Sequence, residues 1–165
     1  MSGICLAAGV ITAVLPLSAF TLAWTHSIEK IRWEEDYRIE SSRLVLVEAR
    51  IRGSGAGMEP PPDAIFNDGI WHYRPKLPPL ERLALSHSPY AAGYEICGET
   101  GCQTLAVIMK SLPKFAVVDI RPCHALYFAH GSTLRPPGTQ KSIKPSSPRQ
   151  ASRWASTAIT MRSSA

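Results

Sequence analysis

Apolar positions along this chain come in short runs separated by turn residues, and few of them repeat at helical spacing. Ile4–Trp24 carries no charge. Gly9 and the segment Pro16–Ser18 divide it into Ile4–Ala7, Ile11–Leu15 and Phe20–Thr25, which read as three buried strands. Two other readings compete, because the stretch is as long as a membrane span and lies where a signal peptide would. A signal peptide wants basic residues ahead of its apolar core, and Met1-Ser-Gly-Ile has none. A membrane helix wants interfacial anchors, and after Trp24 none comes before Lys30 and Arg32.

Farther on the pattern alternates. Ile31, Trp33 and Tyr37 fall on one parity and Arg32, Glu34, Asp36 and Arg38 on the other, as in a half-buried antiparallel strand with one wet face. Leu44, Leu46 and Glu48 oppose Val45, Val47 and Ala49 in a second strand. The polar turn Glu40-Ser41-Ser42 makes Tyr37–Ile39 and Leu44–Val47 a hairpin. Pro60–Pro62 has no ladder donors and reads as a rigid connector. Asn67-Asp68-Gly69 signals a turn before the aromatic strand Ile70–Tyr73. Leu80–Leu85 fits a strand or one helical turn. Tyr94–Cys97 and Cys102–Met109 flank a four-residue loop, Gly98–Gly101, and Phe115–Ile120 is the last strand. The sum is mostly β: a small antiparallel β-sandwich or barrel-like domain with short strands.

Charge changes this picture only at one end. The net charge of +5 suggests a polyanion-binding protein, but the six Lys and Arg after His124 meet no Asp or Glu there. The first 123 residues hold the other 12 basic residues against all 13 acids. The folded part is therefore near neutral and gives no sign of a nucleic-acid groove. The tail is rich in Ser and Pro and buries too little apolar surface to offset chain entropy. We read residues 1–123 as the domain and 124–165 as a disordered basic tail that touches anionic surfaces weakly.

The four cysteines are Cys5, Cys97, Cys102 and Cys123. Cys97 and Cys102 bracket the hairpin loop, and Cys5 and Cys123 sit at the two ends of the domain. One local and one end-to-end pair suits a disulfide framework, hence an oxidising compartment. Four cysteines allow three connectivities, and free thiols or a metal site compete; a lone C-x4-C is a weak metal signal.

Two polar clusters are the candidate site. The first holds His26, Ser27, Glu29 and Lys30, with Glu35 close behind; the second is Arg52–Pro60, with Gly53, Gly55, Gly57 and Glu59. His26, Ser27 and Glu29 superficially suggest a nucleophile with its base and acid. Neighbouring strand residues point to opposite faces, however, and no nucleophile elbow is present. The glycines do not form a phosphate-binding fingerprint. We expect a non-enzymatic domain without a cofactor or metal; a hydrolase-like or metal-dependent enzyme using His26 and Glu29 is the alternative. In a binding role, His26, Glu29 and Glu59 converge beside the glycines. In a purely structural one, the glycines make bulges and Glu29 and Glu35 pair with Lys30, Arg32 or Arg52 on a solvated face.

Several of these stretches together resemble a bacterial family known as a domain of unknown function, number 1850. They are Phe20-Thr-Leu-Ala-Trp-Thr-His-Ser-Ile-Glu-Lys30, Trp33-Glu-Glu35, Gly53-Ser-Gly-Ala-Gly-Met-Glu-Pro60, Trp71-His-Tyr73, Cys97 with Gly101-Cys102, and Arg121-Pro-Cys123. The family's usual His-Ser-Val-Glu has Ile28 in place of valine here. The resemblance spans about residues 4–123 and implies a small all-β domain with no established activity or ligand. It also implies association with the permease or solute-binding component of a tripartite TRAP-type transporter of the TAXI branch. A periplasmic or membrane-associated location follows from the resemblance and the cysteines.

Overall fold

The uncharged N-terminal stretch folds as three strands, β1 (Ser2–Ala8), β2 (Ile11–Leu15) and β3 (Ala19–Thr25). Gly9, at φ +61°, supplies the left-handed residue that turns β1 back onto β2. The computed structural model describes residues 2–26, 30–53 and 60–124. Among them no helix is long and apolar enough to cross a membrane. Residues 125–165, which hold nearly all of the expected tail, lie outside the described residues.

Beyond β3 come β4 (Arg32–Glu40), β5 (Arg43–Arg52), β6 (Ile65–Asn67), β7 (Ile70–Tyr73) and β8 (Leu83–His87). The hairpin β9 (Glu95–Gly98) and β10 (Gly101–Thr104), a short helix α1 (Leu105–Ile108) and β11 (Ala116–His124) complete the described chain. The strands form two antiparallel sheets, ordered β2-β1-β11-β8 and β10-β9-β3-β4-β5-β7-β6. Neither closes on itself. The fold is a sandwich, and the barrel-like form is not realised.

One hydrophobic cluster joins the two sheets. The smaller sheet contributes Ile4, Leu6, Leu83, Leu85, Val118 and Ile120; the larger contributes Phe20, Leu22, Trp24, Trp33, Tyr37, Leu44 and Ile51. Each fully buried aliphatic side chain here stabilises the fold by roughly 1.5–3 kcal/mol. Cross-strand aromatic pairs line the larger sheet's inner face. Phe20 stacks on Tyr37 with centroids 5.5 Å apart, and Trp24 lies 5.9 Å from Trp33.

Three local readings of the sequence are corrected. In β5 the alternation breaks: Asp36 faces Glu48 but Tyr37 faces Leu46, so Val47 is an extra residue, a β-bulge. Leu44 and Leu46 point inward before it, Ala49 and Ile51 after it, and Glu48 sits with Arg50 on the outer face. Strict period-two reading put Glu48 with the leucines. Second, Leu105–Ile108 is helical rather than a continuation of the hairpin strand. Thr104 accepts a hydrogen bond from the Val107 amide, and Leu105 and Met109, four apart, are both buried. Third, the β9–β10 turn has only Glu99 and Thr100 at its centre, since Gly98 and Gly101 already pair.

The β4–β5 turn occurs where expected. Ser41 and Ser42 adopt φ of 47° and 61°, the left-handed pair of a two-residue hairpin. Both disulfides form, Cys97–Cys102 and Cys5–Cys123, and no described cysteine is free. The second joins β1 to β11 across a sequence separation of 118 and so ties the ends of the domain.

Glu35 is the unexpected member of the core. It is 2% exposed, on the inner face of β4 between Trp33 and Tyr37, and not on a solvated face. Its cross-strand neighbours are Leu22 and the small Ala49, which leaves room for the carboxyl group. The Tyr37 hydroxyl donates to Glu35 Oε2 at 2.5 Å. Burying a carboxyl group is tolerable only with such donors. Tyr37→Phe keeps the ring and removes this donor, so we expect a loss of about 1–3 kcal/mol in urea unfolding. An unchanged midpoint would mean that the bond contributes nothing.

Candidate functional site

The outer face of the seven-stranded sheet carries the charge pattern that the bulge creates. Arg50 on β5 is its hub. Its guanidinium grips Asp36 with two bonds, Nη1 to Oδ2 at 2.5 Å and Nη2 to Oδ1 at 2.8 Å, and its Nε donates to Glu34 at 3.0 Å. Thr21 donates to Asp36 Oδ1 at 2.7 Å. Arg32 bridges Glu34 at 2.7 Å and Glu95 on β9 at 2.8 Å. On the other side His72 Nδ1 lies 2.8 Å from Glu48 Oε1. Ion pairs and hydrogen bonds thus cross five strands, from β9 to β7.

The electrostatics follow from these contacts. Burial pushes the Glu34 carboxyl up, but hydrogen bonds from Arg32 and Arg50 outweigh it and hold the group below its ordinary range. Asp36 behaves alike: burial raises it, and Arg50 and Thr21 bring it down. The hydrogen bond to Asp36 raises Arg50 well beyond its usual value despite partial burial. Arg32 is raised chiefly by Glu34. Such a bidentate, half-buried network fixes strand register as well as charge.

Beside β5 and β7 the surface opens into a concavity of about 590 Å³, lined by Glu48, Asp63, Ile65, Asn67, His72, Tyr73 and Arg74. Ile65 and Phe66 on the edge strand β6 are 69% and 55% exposed. Apolar groups are thus exposed next to polar ones at the same sheet edge.

Of the sequence-predicted clusters, the described residues His26, Lys30 and Gly53 lie at one end of this sheet. The β3–β4 connection is closed by backbone bonds from the His26 amide to the Ile31 carbonyl (2.9 Å) and from the Lys30 amide to the His26 carbonyl (3.0 Å). Lys30 takes φ of 56° and is exposed. The His26 ring stacks on Trp33 at 6.1 Å. Gly53, at φ 86°, donates to the Gly69 carbonyl at 3.0 Å, and a Cβ built on it would lie 4.0 Å from Ile31. His26, Lys30 and Gly53 therefore come together, while Glu35 is withdrawn into the core. Ser27, Glu29, Gly55, Gly57 and Glu59 lie outside the described residues. Sequence reasoning missed the Arg50 network and gave His72 no role. The signal was the repeat Arg32, Glu34, Asp36 beside Glu48, Arg50, legible only once the bulge is known.

The pH dependence is signed. Glu34 and Asp36 have lowered folded-state pKa values, so their stabilisation is complete above the ordinary values of 4.5 and 3.8. It is lost as pH falls through the lowered ones. Arg50→Gln should therefore destabilise more at pH 7 than at pH 3, as read from urea midpoints. An equal penalty at both pH values would contradict the network.

The sequence pattern of the family described as Domain of unknown function (DUF1850) matches residues 20–105, from β3 into α1. The match takes in the whole seven-stranded sheet and β8, and leaves β1, β2 and β11 outside. Neither a curated protein nor a solved structure matches the chain. With more than half its length matched, the chain belongs to the family of this domain of unknown function.

Proposed function

We propose that this is a non-enzymatic binding domain that works outside the cytoplasm as an accessory of a TRAP-type solute transport system of the TAXI branch. The observation that carries the binding role is the concavity beside β5 and β7. It sets His72, Asp63, Asn67 and Arg74 next to the exposed Ile65, the mixture of apolar anchor and polar rim found where partners dock. Two disulfides in a small sandwich support an oxidising location. The transporter link rests on the family resemblance.

The non-enzymatic reading is supported by the packing of His26, one of the two residues of the enzyme alternative; Glu29, the other, lies outside the described residues. His26 is stacked on Trp33, and Glu35 is held in the core by Tyr37. On this reading the partner is a permease or its solute-binding component, docked on the β6–β7 edge.

The test is co-purification of the tagged full chain from its native host, with mass spectrometry of what accompanies it. A TAXI-type permease or binding component should be enriched, and Ile65→Glu should lower its recovery about tenfold at an unchanged melting temperature. Recovery without either transporter component, or recovery that Ile65→Glu leaves intact, would sink the proposal.

A further inference from the structure

The two disulfides differ in what they do for the fold. Cys5–Cys123 closes a sequence separation of 118, where loop-closure entropy makes a bridge most stabilising. Cys97–Cys102 closes a separation of 5 in a hairpin already held by four residue pairs and a two-residue turn. It adds little as a staple. It also lies toward the outer edge of the larger sheet: β10 is the edge strand, and Cys102 is exposed on it.

Cys97 and Cys102 are direct cross-strand partners, and Glu95 lies two residues before Cys97 on the same face of β9. The Glu95 carboxylate and both sulfurs lie within 4.8 Å of one another. Two thiolates and one carboxylate are a zinc-type donor set, and a tetrahedral ion would keep its fourth position for water. The hairpin's backbone pairing does not depend on the S–S bond, so the donors stay adjacent after reduction. Arg32 Nη1 donates to Glu95 Oε2 at 2.8 Å, which holds the carboxylate beside the sulfurs.

We propose that Cys97–Cys102 is a reversible disulfide whose reduced form, with Glu95, binds a zinc-class divalent cation. The reductant is a dithiol. One of its thiolates attacks the exposed Cys102 sulfur, the S–S bond breaks, and Cys97 leaves as thiolate. The second thiol then closes the reductant's own disulfide and frees Cys102. Two electrons and two protons pass to the cysteines, and cation binding displaces the two protons. The oxidised form has no thiolate to offer, so redox state gates the metal. This inference is independent of the proposed transporter role.

The test uses the full chain after limited dithiothreitol treatment and removal of the reductant, titrated with zinc alone against a chromophoric chelator. Cobalt serves as an optical probe. Alkylation mapping should show Cys97 and Cys102 reacting before Cys5 and Cys123. The reduced chain should take up one zinc, show thiolate-to-cobalt absorption, and bind about tenfold more weakly as Glu95→Gln. The Cys97→Ser/Cys102→Ser double variant should bind none while keeping its β circular-dichroism spectrum. The proposal is overturned by equal zinc uptake in the oxidised chain, by uptake in the double variant, by no uptake in the reduced chain, by reduction of Cys5–Cys123 first, or by unaltered affinity in Glu95→Gln.

Discussion

The bulge at Val47 carries the constraint on which most of this molecule depends. A strand shows alternate side chains to opposite faces, so one inserted residue would exchange the faces for everything beyond it unless a bulge absorbed it. Before Val47, β5 buries Leu44 and Leu46; after it, β5 buries Ala49 and Ile51. Were Val47 paired in a regular ladder, Glu48 and Arg50 would share the face of Leu44 and Leu46, and Ala49 and Ile51 would take the opposite one. The bulge lets a ten-residue strand serve an apolar inner face along its length while placing charged groups opposite Glu34 and Asp36 on the outer face.

Two kinds of polar group follow from that arrangement, and they do different work. On the outer face, Arg50 and Arg32 are shared among Asp36, Glu34 and Glu95, so charges that would otherwise repel along neighbouring strands hold the sheet in register. On the inner face, Ala49 lies across from Glu35 because of the same bulge, and the carboxyl finds space and the Tyr37 hydroxyl there. A larger residue at 49 would leave no room for it. The family match covers this whole sheet, whereas the tie between Cys5 and Cys123 belongs to the strands outside the match.

Much of the fold was legible because local chemistry and global architecture agree. The turns at Gly9, Ser41-Ser42 and Asp68-Gly69 lie where left-handed residues are needed, and the first three apolar runs became three strands. The pairing of the four cysteines was legible too, since hairpin closure and the domain's ends suggested both partners. What escaped was non-local. No pattern in the single strand reveals a bulge, because it is fixed by which residues pair across the β4–β5 ladder. Glu35 misled for a related reason: a carboxylate beside Glu34 looks solvated until strand parity places it with Trp33 and Tyr37. Of the candidate site, His26, Lys30 and Gly53 do gather at one sheet end, but the Arg50 network and His72 emerged only from the register.

Deletion of Val47 tests the account most directly, with the urea unfolding midpoint as the readout. Removing the extra residue restores strict alternation, so Leu44, Leu46, Ala49 and Ile51 keep the inner face and Glu48 and Arg50 the outer one. The variant should therefore unfold at a midpoint close to that of the wild type. A loss of roughly 4 kcal/mol or more, the size expected if two buried aliphatic side chains turned outward, would show that Val47 is not the residue the bulge absorbs.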